Sequence, residues 1–186
     1  MFPLSKHILL SKDANSFANL DLRLQTEIPL DSHPGAFGVL RRHHIHEGVD
    51  LYACLGDEVL AIEDGEIVSM GPFTGPQAGS PWWLPTEFVM VQGQEQVLCY
   101  GELRVAPALA PGQRIREGMV LGRVATVLRH DKGRPRNMLH LERYALGVRV
   151  SCGIWPLGAP RPEGLLDPTP VLLQEAAAVR DNPVLG

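Results

Sequence analysis

The feature of this sequence that most constrains its fold is its punctuation: short apolar or alternating runs separated by glycine-bearing turns. Val49–Tyr52, Glu58–Ile62 and Glu66–Val68 are broken by Leu55-Gly56-Asp57 and Asp64-Gly65, the turn chemistry of antiparallel strands. Phe88–Val91 and Val97–Tyr100 flank Gln92–Gln96 as a hairpin, Gly112 to Gly122 reads as strand-turn-strand, and Met138 to Tyr144 is one more strand. With 19 glycines and 16 prolines in 186 residues, many turns fit and a helical bundle does not. The one convincing helix spans about 170–180, where good helix formers follow Asp167-Pro168-Thr169; it reads as peripheral. The expected fold is therefore mainly β, a compact antiparallel sandwich or barrel-like domain with a short C-terminal helix.

Residues 1–36 form an N-terminal extension with room for one strand or a short helix, residues 37–150 the main domain, and residues 151–186 a C-terminal extension. Gly56-Asp57-Glu58-Val59 and Gly112-Gln113-Arg114-Ile115 share a pattern that hints at internal duplication. The loop from Phe73 to Trp83 ends in two tryptophans that either line a groove or plug the core edge; packing favours the core. The net charge is -4 with no basic block, which excludes nucleic acid as a partner, since phosphate binding needs clustered Lys and Arg. Ile8-Leu9-Leu10 is too short an apolar run for a signal peptide or a membrane span, so a cytoplasmic location without membrane association is expected. Three scattered cysteines without a CxxC pair read as free thiols, in keeping with that compartment.

Two clusters carry chemistry: Arg41 through Asp50, which includes His43, His44 and His46, and Asn137 through Glu142. A catalytic zinc takes three imidazole or carboxylate ligands and keeps a fourth position open. His46 and Asp50 supply one nitrogen and one oxygen, and His140 completes the three. Residues four apart on a regular strand lie roughly 13 Å apart, so joint ligation requires a bend, and Gly48 is the residue able to make it. On the strand of His140, Glu142 shares the same face by the period of two and is placed to orient that ligand.

His46-Glu47-Gly48-Val49-Asp50 resembles the HxGxD signature of the lysostaphin-type zinc metallopeptidase family, whose domains have the duplicated hybrid motif fold. Phe37-Gly38 before it, Gly56 to Val68 after it, Gly112 to Gly122, and Leu139-His140-Leu141-Glu142 resemble further segments of that family in the same order. The resemblance covers about residues 37–146. It implies a Zn2+ cofactor held by His46, Asp50 and His140, and peptide substrates of the cell-wall crosslink type. Two histidines that serve catalysis in the family are replaced, one by Glu102 in Tyr100-Gly101-Glu102-Leu103, the other by Met138.

The expected function is a zinc-dependent hydrolase of a peptide or amide bond. Metal-activated water would attack, Glu102 would act as base, and Tyr100 on the same strand face would donate from its hydroxyl. Met138 has no proton to donate. His43, His44 and His130 read as surface residues. The alternative is a catalytically inactive metal-binding or ligand-recognition module of the same fold. A lipoyl-type carrier is disfavoured because neither Asp64-Gly65 nor Glu117-Gly118 carries a lysine. A phosphotransfer domain is disfavoured because three dispersed ligand types exceed the needs of a phosphohistidine.

Overall fold

The computed structural model describes residues 1–130 and 133–181, so the last residues of the C-terminal extension, 182–186, lie outside the described part. The strands are β1 (His7–Ser11), β2 (Gln25–Pro29), β3 (His44–Ile45), β4 (Val49–Tyr52), β5 (Glu58–Leu60), β6 (Gly65–Thr74) and β7 (Thr86–Gln92). They continue with β8 (Val97–Val105), β9 (Arg114–Ile115), β10 (Val120–Val124), β11 (Met138–Tyr144), β12 (Trp155–Pro156) and β13 (Leu165–Leu166). One antiparallel sheet holds most of them in the order β13-β11-β8-β7-β6-β9, with β4 on the other side of β11 from β8 and β10 bridging β8 and β5. The chain is mostly β, as its turn pattern required. Among the described residues no helix is long and apolar enough to cross a membrane.

The hint of duplication has a structural counterpart. The Gly56 N–H donates to Val124 O while the Val124 N–H donates to Asp57 O; the Gly112 N–H donates to Ile67 O while the Ile67 N–H donates to Gln113 O. Each Gly-polar pair thus brackets one residue of a distant strand. Gly56 and Gly112 both need the left-handed backbone (φ 87 and 83) that glycine adopts without strain. Val59 and Ile115, three residues on, are both buried in the main core. The segment Gly112 to Gly122 is not a hairpin, however: β9 pairs with β6, and β10 with β5 and β8.

The terminal segments complete the core rather than decorating it. Phe2, Leu4, Ile8 and Ile28 lie in the same apolar cluster as Val49, Leu139 and Leu141, and the Thr26 hydroxyl donates to Tyr52 O at 2.9 Å. The C-terminal helix α1 (Thr169–Asp181) starts where the Asp167 carboxylate accepts the Thr169 N–H. It buries Leu172 and Ala176 in that cluster, so it is structural, not peripheral. The tryptophans do not plug the core: Trp82 is 59 % exposed and packs edge-on against Trp83.

Residues directly opposite on antiparallel strands share a face. Asp50, His140 and Gly101 lie opposite one another across β4, β11 and β8, which places two predicted ligands side by side. On β7 and β8 the register passes from Val89 opposite Tyr100 to Glu87 opposite Leu103, so Gly101 and Glu102 form a bulge. Glu102 holds a left-handed backbone (φ 66), costly for a residue with a side chain. The bulge breaks the alternation: Tyr100 and Leu103 both enter the core, and Glu102 is turned from the face that regular pleating would give it.

Candidate metal centre

His46 arrives from the short connection between β3 and β4, Asp50 from β4 and His140 from β11. His46 Nε2 lies 3.1 Å from Asp50 Oδ1 and 3.3 Å from His140 Nδ1, and His140 Nδ1 lies 2.8 Å from Asp50 Oδ1. Ligands at 2.0–2.1 Å around a tetrahedral ion stand about 3.3 Å apart, so the three atoms already sit near the edges of such a site. Gly48 supplies the close approach. A methyl group there would sit 2.5 Å from Leu141 O and 2.7 Å from His140 Nε2. Gly48→Ala is therefore expected to push β11 from β4 and weaken metal affinity on the order of ten- to a hundredfold, read by competition with a chromophoric chelator.

The surroundings decide which atoms carry lone pairs. His46 Nδ1 is 2.9 Å from Ala36 O, so that nitrogen donates, and burial pushes the ring's pKa down to about 4. The ring is neutral and Nε2 is left as a free base. His140 Nε2 donates to Glu142 Oε1 at 3.3 Å, which turns Nδ1 toward Asp50 and His46. Glu142 is itself held by the Tyr144 hydroxyl at 2.8 Å and by Ser151. Burial alone would lower the pKa of His140, yet its hydrogen bonds to Asp50 and Glu142 hold it well above the ordinary value. Burial would raise Asp50, but the charge of Arg41 and the hydrogen bond from His140 keep it well below the usual carboxylate range. Three donor atoms on buried residues thus converge where a cation can take the place of one shared proton, and the donor set suits zinc.

Glu102 is buried on the side of this cluster, and its Oε2 has no hydrogen-bond partner among the described residues. Burial, then the charge of Asp50, pushes its pKa up to about 8, against the opposing pull of His140 and Arg41. Tyr100 is not brought to the site. Its hydroxyl accepts the Ile62 N–H at 2.9 Å inside the core, because the bulge separates the faces of Tyr100 and Glu102. Met138 is buried opposite Tyr52, and His43 and His130 are exposed. His44 is half-buried near enough to the cluster for Arg41, Asp50 and His140 to act on it, although burial is the main cause of its lowered pKa.

Three contributors carried no assigned role in the sequence. Arg41 pairs through Nη2 with Asp50 Oδ2. The segment 34–36 offers three carbonyls: Pro34 O to Arg41, Gly35 O to the Asp50 N–H and Ala36 O to His46. The Phe73 ring lies 5.3 Å from that of His140, in the space that Gly101 leaves open: a Cβ there would meet Phe73 at 2.5 Å. An arginine nine residues before a ligand was visible, but nothing in the spacing says that it turns inward while Arg42 stays exposed.

No family model matches the chain, and no curated protein matches it. Among solved structures it is similar to the catalytic domain of the antimicrobial peptidase lysostaphin from Staphylococcus simulans, with 17% identity and a TM-score of 0.52 over 88% of this chain and 99% of that one. It is also similar to CbpA from L. salivarius REN, with 18% identity and a TM-score of 0.51 over 81% and 91% of the two chains. A longer lysostaphin chain gives 18% and 0.51, with 81% of this chain covering 52% of that one. The chain thus has the lysostaphin-type fold that its motifs resembled.

Proposed function

We propose that this protein is a zinc-dependent hydrolase of a peptide or amide bond, with His46, Asp50 and His140 as metal ligands and Glu102 as general base. The observation that carries the reading is the convergence of three lone-pair donors beside a buried carboxyl group whose Oε2 has no partner among the described residues. A zinc ion there would supply Lewis acidity, lowering the pKa of water and polarising a carbonyl. Glu102, pushed up to about 8, needs only a neighbouring positive charge to titrate near neutrality, where a carboxyl both accepts and returns a proton. It takes the proton of the attacking water as the new C–O bond forms. It then passes that proton to the leaving nitrogen as the C–N bond breaks, giving a carboxylic acid and an amine. Tyr100 has no part in this scheme.

The substrate class that the resemblance implies is a peptide crosslink of the bacterial cell wall, and similarity to the fold of an antimicrobial peptidase supports it. The test is incubation of zinc-loaded protein with crosslinked muropeptides and with a panel of glycine-rich peptides, products being read by mass spectrometry. Cleavage is expected, lost on chelation and restored by zinc. A second reading, a metal-binding recognition module without turnover, is favoured by Met138, whose thioether cannot donate to a developing oxyanion. Binding of these peptides without any cleavage would select it.

A further inference from the structure

We infer that Arg41 is the catalytic residue that stabilises negative charge on the carbonyl oxygen of the substrate. The inference rests on the hydrolase reading above. Water addition to an amide puts negative charge on that oxygen, and preorganised donors aimed at it commonly provide the largest share of catalysis. Neither replacement at the two family histidine positions can do this: Met138 has no donor, and Glu102 is occupied with the proton of the water. Arg41 is a permanent cation beside the cluster, acting on both Asp50 and Glu102. Its Nη2 binds Asp50 Oδ2, the oxygen not turned toward His46 and His140. Pro34 O accepts from Nε at 3.2 Å and from Nη2 at 2.8 Å. These contacts fix the plane of the guanidinium, so no reorientation is needed when charge appears.

The remaining nitrogen, Nη1, makes no hydrogen bond among the described residues, and 27 % of the side chain is open to solvent. Arg41 thus reaches the site with one edge committed to Asp50 and Pro34 and donors left over. A guanidinium is always charged, and with its Nε and Nη2 held by Pro34 and Asp50 the two N–H groups of Nη1 can donate to an oxyanion, in a plane that a lysine cannot reproduce.

The test uses the full chain loaded with Co2+, whose visible spectrum reports a group entering the site, and inorganic phosphate as a tetrahedral oxyanion. Wild type, Arg41→Gln and Arg41→Lys are compared. All three are expected to take up about one cobalt. Phosphate should shift the wild-type spectrum, with affinity at least about tenfold weaker in Arg41→Gln and intermediate in Arg41→Lys. Equal phosphate affinity in the three proteins, or a wild-type cobalt protein indifferent to phosphate, would overturn the inference while leaving the metal centre intact. So would an Arg41→Gln protein that folds but takes up no cobalt, which would assign Arg41 to holding Asp50 alone. Wild type that takes up no cobalt would remove the hydrolase reading itself.

Discussion

Asp50→Asn is expected to cost about three orders of magnitude in zinc affinity and, separately, to destabilise the metal-free protein. The first effect follows from sharing a zinc binding free energy of roughly 10–16 kcal/mol among three protein ligands, so that one is worth about 4 kcal/mol. The amide keeps the shape of Asp50 but lacks the charge that a cation between His46 and His140 needs. The second effect follows from what Asp50 holds in the absence of metal. It accepts from His140 at 2.8 Å and pairs with Arg41, and all three side chains are largely shielded from water. Removing one partner of a buried ion pair leaves the others uncompensated, at a cost of about 3–5 kcal/mol. Denaturant titration in a chelator should therefore show a clear loss for Asp50→Asn. Unchanged stability there would mean that the Arg41–Asp50–His140 arrangement is not formed in solution.

Glu102→Gln is expected to abolish turnover while raising the stability of the metal-free protein. A positioned general base contributes on the order of a hundred- to ten-thousandfold in rate, and glutamine keeps the shape without the basicity. Zinc uptake should change little, because Glu102 is not among the three proposed ligands. The stability gain has a definite sign. The folded pKa of Glu102 is pushed up to about 8, above the value for an exposed glutamate, so the folded state resists ionisation. The resulting penalty is absent below the unfolded pKa and grows as pH rises from there to the folded value. At pH 7 it is on the order of 3 kcal/mol, relieved by the neutral amide. A carboxyl group kept at such a cost, on a strained left-handed backbone, is what a functional role explains and packing does not. An unchanged kcat in Glu102→Gln would remove Glu102 from the mechanism, and lower stability than wild type at pH 8 would show that burial does not oppose its ionisation.

Much of this arrangement was written in local chemistry. Alternation along Met138–Tyr144 and the glycine turns at Gly56 and Gly112 marked strands and their breaks, and the structure retains them. His46, Asp50 and His140 stood out through the resemblance of their motifs to the ligand positions of the lysostaphin-type family, and Gly48 as the residue able to bend the chain between the first two. The close approach of His140 to Gly48 is visible only in the structure. Strand pairing was less accessible. Gly112 to Gly122 looked like a hairpin since both of its strands are short and local, yet each finds a distant partner whose identity no local pattern encodes. The bulge at Glu102 was hidden for a related reason. Its extra residue is defined only against β7, so the expectation that Tyr100 and Glu102 share a face followed from a regularity the strand does not keep. Arg41 and the carbonyls of residues 34–36 act through backbone placement, which composition does not reveal.

Whether His46, Asp50 and His140 form one metal site is decided by elemental mass spectrometry. Wild type and His140→Ala are equilibrated with zinc, freed of excess and measured for metal per chain, with folding checked by circular dichroism. About one zinc per chain is expected in wild type and little in the folded variant. No zinc in wild type, or equal zinc in both proteins, would contradict such a site.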